Sequence, residues 1–259
     1  MRLFKKKGSI VLPGGERVSN FASLGEIDVT VAQFERLGRK HCLDIGSSEV
    51  PSDIYQHVNF NNSPGVDFYG DIRCCFSPGY IEQIDKYPDL KNIPKGVFKL
   101  IRLVDIVEHV EWIHQPLLFA WVYSLLAEGG VVYIKTPNLD YIAKMYLRGM
   151  QAAVTGKKLT NFPFSDHPDL GTSYVDIVKW VNSALFSGCS NFANSDGVMR
   201  GDYHHACFNK FWIEQLLTSG ESGGFVNIQI FDEERLIVLA QKSNKDVGDV
   251  DGAVERLVG

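Results

Sequence analysis

Polar residues at the ends of apolar runs, together with a few histidines, are the chemistry this 259-residue chain has to offer. "CLDIGSSEVP" (42–51) closes a buried run with Asp44 and Gly46, then Ser47, Ser48 and Glu49. Asn59 and Asn61 follow the second run, Gly70 and Asp71 the third, and Asp105, Glu108 and His109 the fourth. Thr136, Pro137 and Asn138 follow the fifth. Acceptors and small residues at five such ends suit a neutral or cationic ligand with ribose hydroxyls and an adenine amino group. They suit a pyrophosphate poorly. Ser48 and Pro51 stand where a G-x-G-x-x-G turn needs glycine, and neither Lys nor Arg sits at the first turn. His109, His204 and His205 are the candidates for a base titrating near neutrality. The plainer reading of Glu108 and His109 is loop anchoring or helix capping. His204, His205, Cys207 and Cys189 have the chemistry of zinc ligands, but their spacing fits no standard zinc pattern and no metal is expected.

The elements that must position these residues are readable from pattern. "SIVL" (9–12) and residues 16–18 flank "PGG", which reads as a small hairpin. Leu24, Ile27, Val31, Phe34 and Leu37 recur at spacings of three and four, giving an amphipathic helix over 23–40 closed by Gly38. Apolar runs at 41–45, 57–60, 98–104 and 130–136 read as strands, several of them apolar on both faces. Helical periodicity over 111–130 between the last two makes a right-handed βαβ unit. Residues 225–242 form two β runs around an acidic turn, an antiparallel hairpin. Only "NNSPG" (61–65) separates the second run from "VDFYGD" (66–71), so the strand at 66–69 is either a stub reached by a wide loop or pairs otherwise. The predicted fold is α/β: a mainly parallel seven-stranded Rossmann-like sheet flanked by helices and ended by an antiparallel hairpin. It forms one domain over 1–242 with a flexible tail over 243–259. The aromatic-rich segment 139–203 is read as a lid over a substrate pocket or as a helical appendage or oligomer contact.

At 45% apolar residues the chain can bury a sizeable core, and a net charge of −5 argues against a general nucleic-acid binder while leaving room for a local basic patch. Lys5, Lys6 and Lys7 read as a solvated face. The N-terminal stretch lacks the apolar core of a signal peptide and no segment approaches 18 uninterrupted apolar residues, so the expectation is a soluble, cytoplasmic protein without membrane contact. Five cysteines without C-x-x-C spacing read as reduced thiols.

"LDIGSS", "HVNFNNSPGVDFYGDIR" and the stretch from "GVFKLIRLVDIVEHVEW" through "GGVVYIKTPN" together resemble the class I S-adenosylmethionine-dependent methyltransferases over roughly residues 40–140. "HHACF…IEQLLTSGESGGFVNIQIF" (204–231) resembles that family's closing portion. The resemblance implies S-adenosylmethionine as cofactor and methyl transfer to an O or N atom of an acceptor, most simply a small molecule. Carried over, Asp44, Gly46 and Ser47 would contact the methionine moiety. Asp71 would bond the adenine amino group, with Ile72 packed on the ring. Val104 and Asp105 would line the sulfonium side, with His109 nearby. Asn61 stands where the family usually has an Asp gripping the ribose, and Lys99 replaces its usual Asp at the start of the fourth strand. Two other readings stand beside this one: a methyltransferase-like binding protein without turnover, and an NAD-dependent oxidoreductase, which the first turn disfavours.

Overall fold

At the N-terminal end, β1 (Ile10–Val11) and β2 (Arg17–Val18) pair antiparallel around the Pro-Gly-Gly turn. The computed structural model describes residues 9–18, 21, 23–46, 51–155, 178, 181, 185 and 204–243. Helix α1 (Leu24–Glu35) starts where the Ser23 hydroxyl accepts the Glu26 amide, and it buries Ile27, Thr30, Val31 and Phe34. It is shorter than its apolar spacing predicts: Leu24 is exposed and the chain leaves the helix at Arg36, before Gly38.

β3 (Cys42–Ile45), β4 (Gln56–Asn59), β5 (Phe68–Tyr69), β6 (Phe98–Val104) and β7 (Leu126–Pro137) run parallel to one another. The C-terminal hairpin adds β8 (Val226–Asp232) and β9 (Arg235–Gln241), with β9 antiparallel to both β7 and β8. The spatial order is β5-β4-β3-β6-β7-β9-β8, a seven-stranded, mainly parallel Rossmann-like sheet.

Alternation along the strands divides the core between the two faces. Leu43, Ile45, Ile101, Leu103, Val132 and Ile134 pack with α3 (Gln115–Leu125) and α5 (Lys210–Thr218). The short helix α2 (Pro78–Ile81) lies in the segment that closes this side near β5. α3 is apolar all round and buried almost throughout, as a helix wedged between sheet and α5 must be. Cys42, Leu100, Val131, Ile237 and Leu239 face the other way, against α1 and the β1–β2 hairpin.

Two departures from the expected elements have physical causes. β7 begins at Leu126, so the helix read over 111–130 ends at Leu125, and Gly129 and Gly130 lie inside the strand. Phe98 pairs with Leu126 and Leu100 with Val131, so the chain bulges between them. Gly130 tolerates the bulge because a Cβ there would lie 2.7 Å from the Phe98 carbonyl oxygen. The open question at 66–69 resolves as a stub. β5 lies parallel to β4 with Val58 beside Phe68, joined by a loop over 60–67. Asp67 secures that loop: its amide donates to the His57 carbonyl at 3.0 Å, and its carboxylate accepts the His57 amide at 2.8 Å and pairs with Arg39. Among the described residues no helix connects β3 to β4 or β4 to β5.

Helix α4 (Leu139–Thr155) follows β7, its start fixed by the Asn138 side chain, which accepts the Asp140 amide at 3.1 Å. It is the described part of the segment read as a lid. Apart from residues 178, 181 and 185, the rest of that segment lies outside the described residues, as do Ser47, Cys189 and residues 244–259.

Candidate functional site

β4 and β5 lie on one side of β3 while β6 lies on the other, so strand order reverses between β3 and β6. In open parallel sheets the crevice beyond the strand ends at such a reversal is the natural ligand site. Gly46 stands at its β3 lip with φ +87° and its amide donating to the Val58 carbonyl at 2.8 Å. A Cβ built on Gly46 would meet Ile106 Cδ1 at 1.9 Å. The side chain demanding glycine here is therefore the chain's own Ile106, from beyond the end of β6. Val104 is half-buried at the β6 lip, and Asp105 follows it with φ +53°, its amide donating to the Lys135 carbonyl at 2.9 Å and its carboxylate paired with Arg235.

Asp44 lies one residue before the end of β3, on the α1-facing side of the sheet, only 2% exposed. Its carboxylate is 3.4 Å from the Arg102 guanidinium and 3.6 Å from His57 Nδ1. Arg102 stacks on the Tyr55 ring at 4.6 Å, and the Tyr55 hydroxyl donates to Glu35. Burial lowers the His57 pKa, against the pull of Asp44 and Asp67. The carboxylate that the resemblance brings to a methionine moiety is thus part of an internal polar network. Its cross-strand partner was signalled in "FKLIRLV", where Arg102 interrupts a buried run and needs a counter-ion on a neighbouring strand.

Asp71 ends the β5 turn and caps residues 72–75, with Arg73 Nη2 and Nε on its carboxylate at 2.7 and 3.0 Å. Ile72 is half-buried against the α3-side core. Asn61 is exposed, its amide donating to Asn59 Oδ1 at 3.0 Å. Lys99 donates to the Glu128 carbonyl at 2.6 Å at the far, N-terminal end of β6, a structural tie.

The three candidate histidines separate. His109 and His204 come together with ring centroids 4.9 Å apart, edge to face. His205 instead exposes its side chain and donates its backbone amide to the Glu108 carbonyl at 2.7 Å. Glu108, absent from the residues first assigned to catalysis, is at the centre: 1% exposed, accepting from Thr136 Oγ1 at 3.1 Å and facing His204 Nε2 at 3.9 Å. Burial pushes its carboxyl up to about 7. Burial also raises the Cys207 thiol, with Glu108 adding to the effect, and lifts Cys42 and Cys75 to about 12, so none of these is a ready nucleophile. Cys207 directs its sulfur to the Leu185 carbonyl at 3.8 Å.

No protein-family profile matches the chain and no curated protein matches it. Solved structures do resemble it. A S-adenosylmethionine-dependent methyltransferase from Methanosarcina mazei is 12% identical, with 80% of this chain and 94% of that one covered at a TM-score of 0.42. The Burkholderia thailandensis 1,6-didemethyltoxoflavin-N1-methyltransferase, with S-adenosylhomocysteine bound, is 10% identical over 87% and 93% at 0.39. A Rhodobacter sphaeroides protein named among the zinc-dependent alcohol dehydrogenases is 12% identical over 85% and 90% at 0.42. In four further matched structures the chain spans about half of that chain's length, 47% to 56%. At these values the likenesses carry no argument about chemistry. Among the described residues no helix is long and apolar enough to cross a membrane.

Proposed function

We propose that the chain transfers a methyl group from S-adenosylmethionine to an O or N atom of a small-molecule acceptor, in the cytoplasm. The observation that supports this is the reversal beside β3, with Gly46 on one lip and Val104 and Asp105 on the other. The positive-φ glycine turn at the β3 lip and the exposed Asn61 beyond β4 support a site for the nucleoside end of such a cofactor, although the Asp44, Asp71 and Asp105 carboxylates are each paired with an arginine. On this reading Asp44, Gly46 and Ser47 flank the methionine moiety, Asn61 the ribose, Asp71 and Ile72 the adenine, and Val104 and Asp105 the sulfonium side. When bound, S-adenosylmethionine supplies a methyl group already activated as an electrophile. The chain's part is to align the acceptor, keep water out, and hold or move a proton at Glu108, His109 or His204.

Calorimetry with S-adenosylhomocysteine and with NAD tests the reading. Saturable one-to-one binding of S-adenosylhomocysteine and no heat with NAD is expected. Binding of NAD alone would replace the proposal with a nicotinamide-dependent oxidoreductase. A binding protein without turnover is the second reading, favoured by Arg73 holding the Asp71 carboxylate and Ile106 lying over Gly46. It predicts no heat with either ligand.

A further inference from the structure

Glu108, His109 and His204 place one ligand atom each within 4.8 Å of one another. We propose that these three side chains bind a divalent transition-metal ion of the zinc class. The carboxylate is built for the task. One oxygen is held by Thr136, whereas Oε1, fully buried, has no hydrogen-bond partner among the described residues and points toward the His204 imidazole. A buried carboxylate oxygen without a donor is costly, and a cation removes that cost. Thr136 does what an outer-shell partner does for a metal ligand, setting the orientation of the carboxylate.

His204 is far from Glu108 in sequence, and backbone bonds bring it there. The amides of His205 and Ala206 both donate to the Glu108 carbonyl, at 2.7 and 3.2 Å, clamping residues 204–206 over the 107–109 turn. The ligand placement is thus set by main chain rather than by the imidazoles themselves. For metal bonds of about 2.0–2.1 Å in a tetrahedral site, ligand atoms lie roughly 3.4 Å apart, so side-chain rotations of about an ångström complete the set. Two imidazole nitrogens and one carboxylate oxygen favour Zn²⁺, Co²⁺ or Fe²⁺ over Mg²⁺ and Ca²⁺, which prefer all-oxygen shells. Three protein ligands leave a fourth position for water or for an acceptor oxygen. That last step rests on the methyl-transfer reading and deepens it, since the imidazoles then serve as ligands and the ion activates the acceptor. Binding of the ion itself does not depend on that reading.

The test is titration of the tag-free, chelator-treated chain with Zn²⁺, Co²⁺ and Mg²⁺, by calorimetry and, for Co²⁺, by visible absorption. The expected result is one Zn²⁺ or Co²⁺ per chain, with a tetrahedral Co²⁺ spectrum and little response to Mg²⁺. Thr136→Ala should weaken binding by roughly 10–100-fold, and Glu108→Gln and His204→Ala by more, with the circular dichroism spectrum unchanged. A chain that binds no ion one-to-one, or that prefers Mg²⁺, overturns the proposal. So does undiminished binding in both Glu108→Gln and His204→Ala. S-adenosylhomocysteine binding measured on the same preparations separates the two readings: metal uptake without it leaves the ion site standing and removes the methyltransferase, and the converse outcome does the reverse.

Discussion

Replacing Gly46 with Ala should destabilise the domain by about 2–5 kcal/mol, and most of the excess should vanish when Ile106 is shortened as well. The figure has two parts. A residue with a Cβ at φ +87° sits in the left-handed region, at a cost of roughly 1–2 kcal/mol. The new methyl would also lie 1.9 Å from Ile106 Cδ1 and 2.5 Å from Cγ1, both far inside van der Waals contact, so Ile106 must leave its place. Overpacking of that kind costs roughly 1–3 kcal/mol. Ile106→Ala alone removes part of a half-buried side chain packed on the α3-side core and should cost about 1–2 kcal/mol. In the Gly46→Ala background the same truncation relieves the overlap, so the double variant should be more stable than the sum of the single changes by about 1–3 kcal/mol. Urea unfolding followed by circular dichroism, with constant m-values, measures all four corners of the cycle. Additivity within about 0.5 kcal/mol would show that Ile106 is not what excludes a side chain at position 46.

Gln241 should prove a structural keystone. Buried at the end of β9, it donates to the Val11 and Gly129 carbonyls at 3.0 and 2.8 Å and accepts from the Val11 amide and Asn227, so Gln241→Leu should lower stability by about 2–4 kcal/mol and speed hydrogen exchange at Val11. The buried His57, facing Asp44, Asp67, Arg39 and Arg102, has a folded-state pKa lowered from its usual 6.5. The unfolded chain therefore binds the proton first, and stability present above pH 6.5 should fall as pH drops below it, by at most about 1.4 kcal/mol per pH unit. Urea midpoints between pH 5 and 7.5 should show this slope, and His57→Gln should flatten it.

Strand runs such as "CLDI" and "RLIVLAQ" were legible because a strand covered on both sides is apolar at most positions, and "FVNIQIFDEERLIVLAQK" carried its own turn. The crossovers were less so. A loop over 60–67 can join parallel neighbours only because the side chain of Asp67 substitutes for backbone partners, and no periodicity records that. The site divided along the same line. Gly46 and Asp105 could be placed by their position after a run. Pairs across strands, Asp44 with Arg102 or Glu108 with Thr136, need the strand order before they can be seen. His204 and His205 looked equivalent as neighbours in sequence; in the fold one side chain reaches Glu108 while the other reaches solvent.

The position of β9 between β7 and β8 bears on how the protein comes off the ribosome. β7 offers its open edge as soon as residue 137 has emerged, yet the strand that covers it begins only at Arg235. Until residues 235–241 appear, the apolar edge of β7 and the whole of β8 have no partner, and unpaired edges of this kind recruit other chains. Synthesis stalled or cut short before Arg235 should therefore yield an aggregating product rather than a smaller folded one. The nascent chain has a long interval in which a chaperone, and not its own sheet, must shield β7.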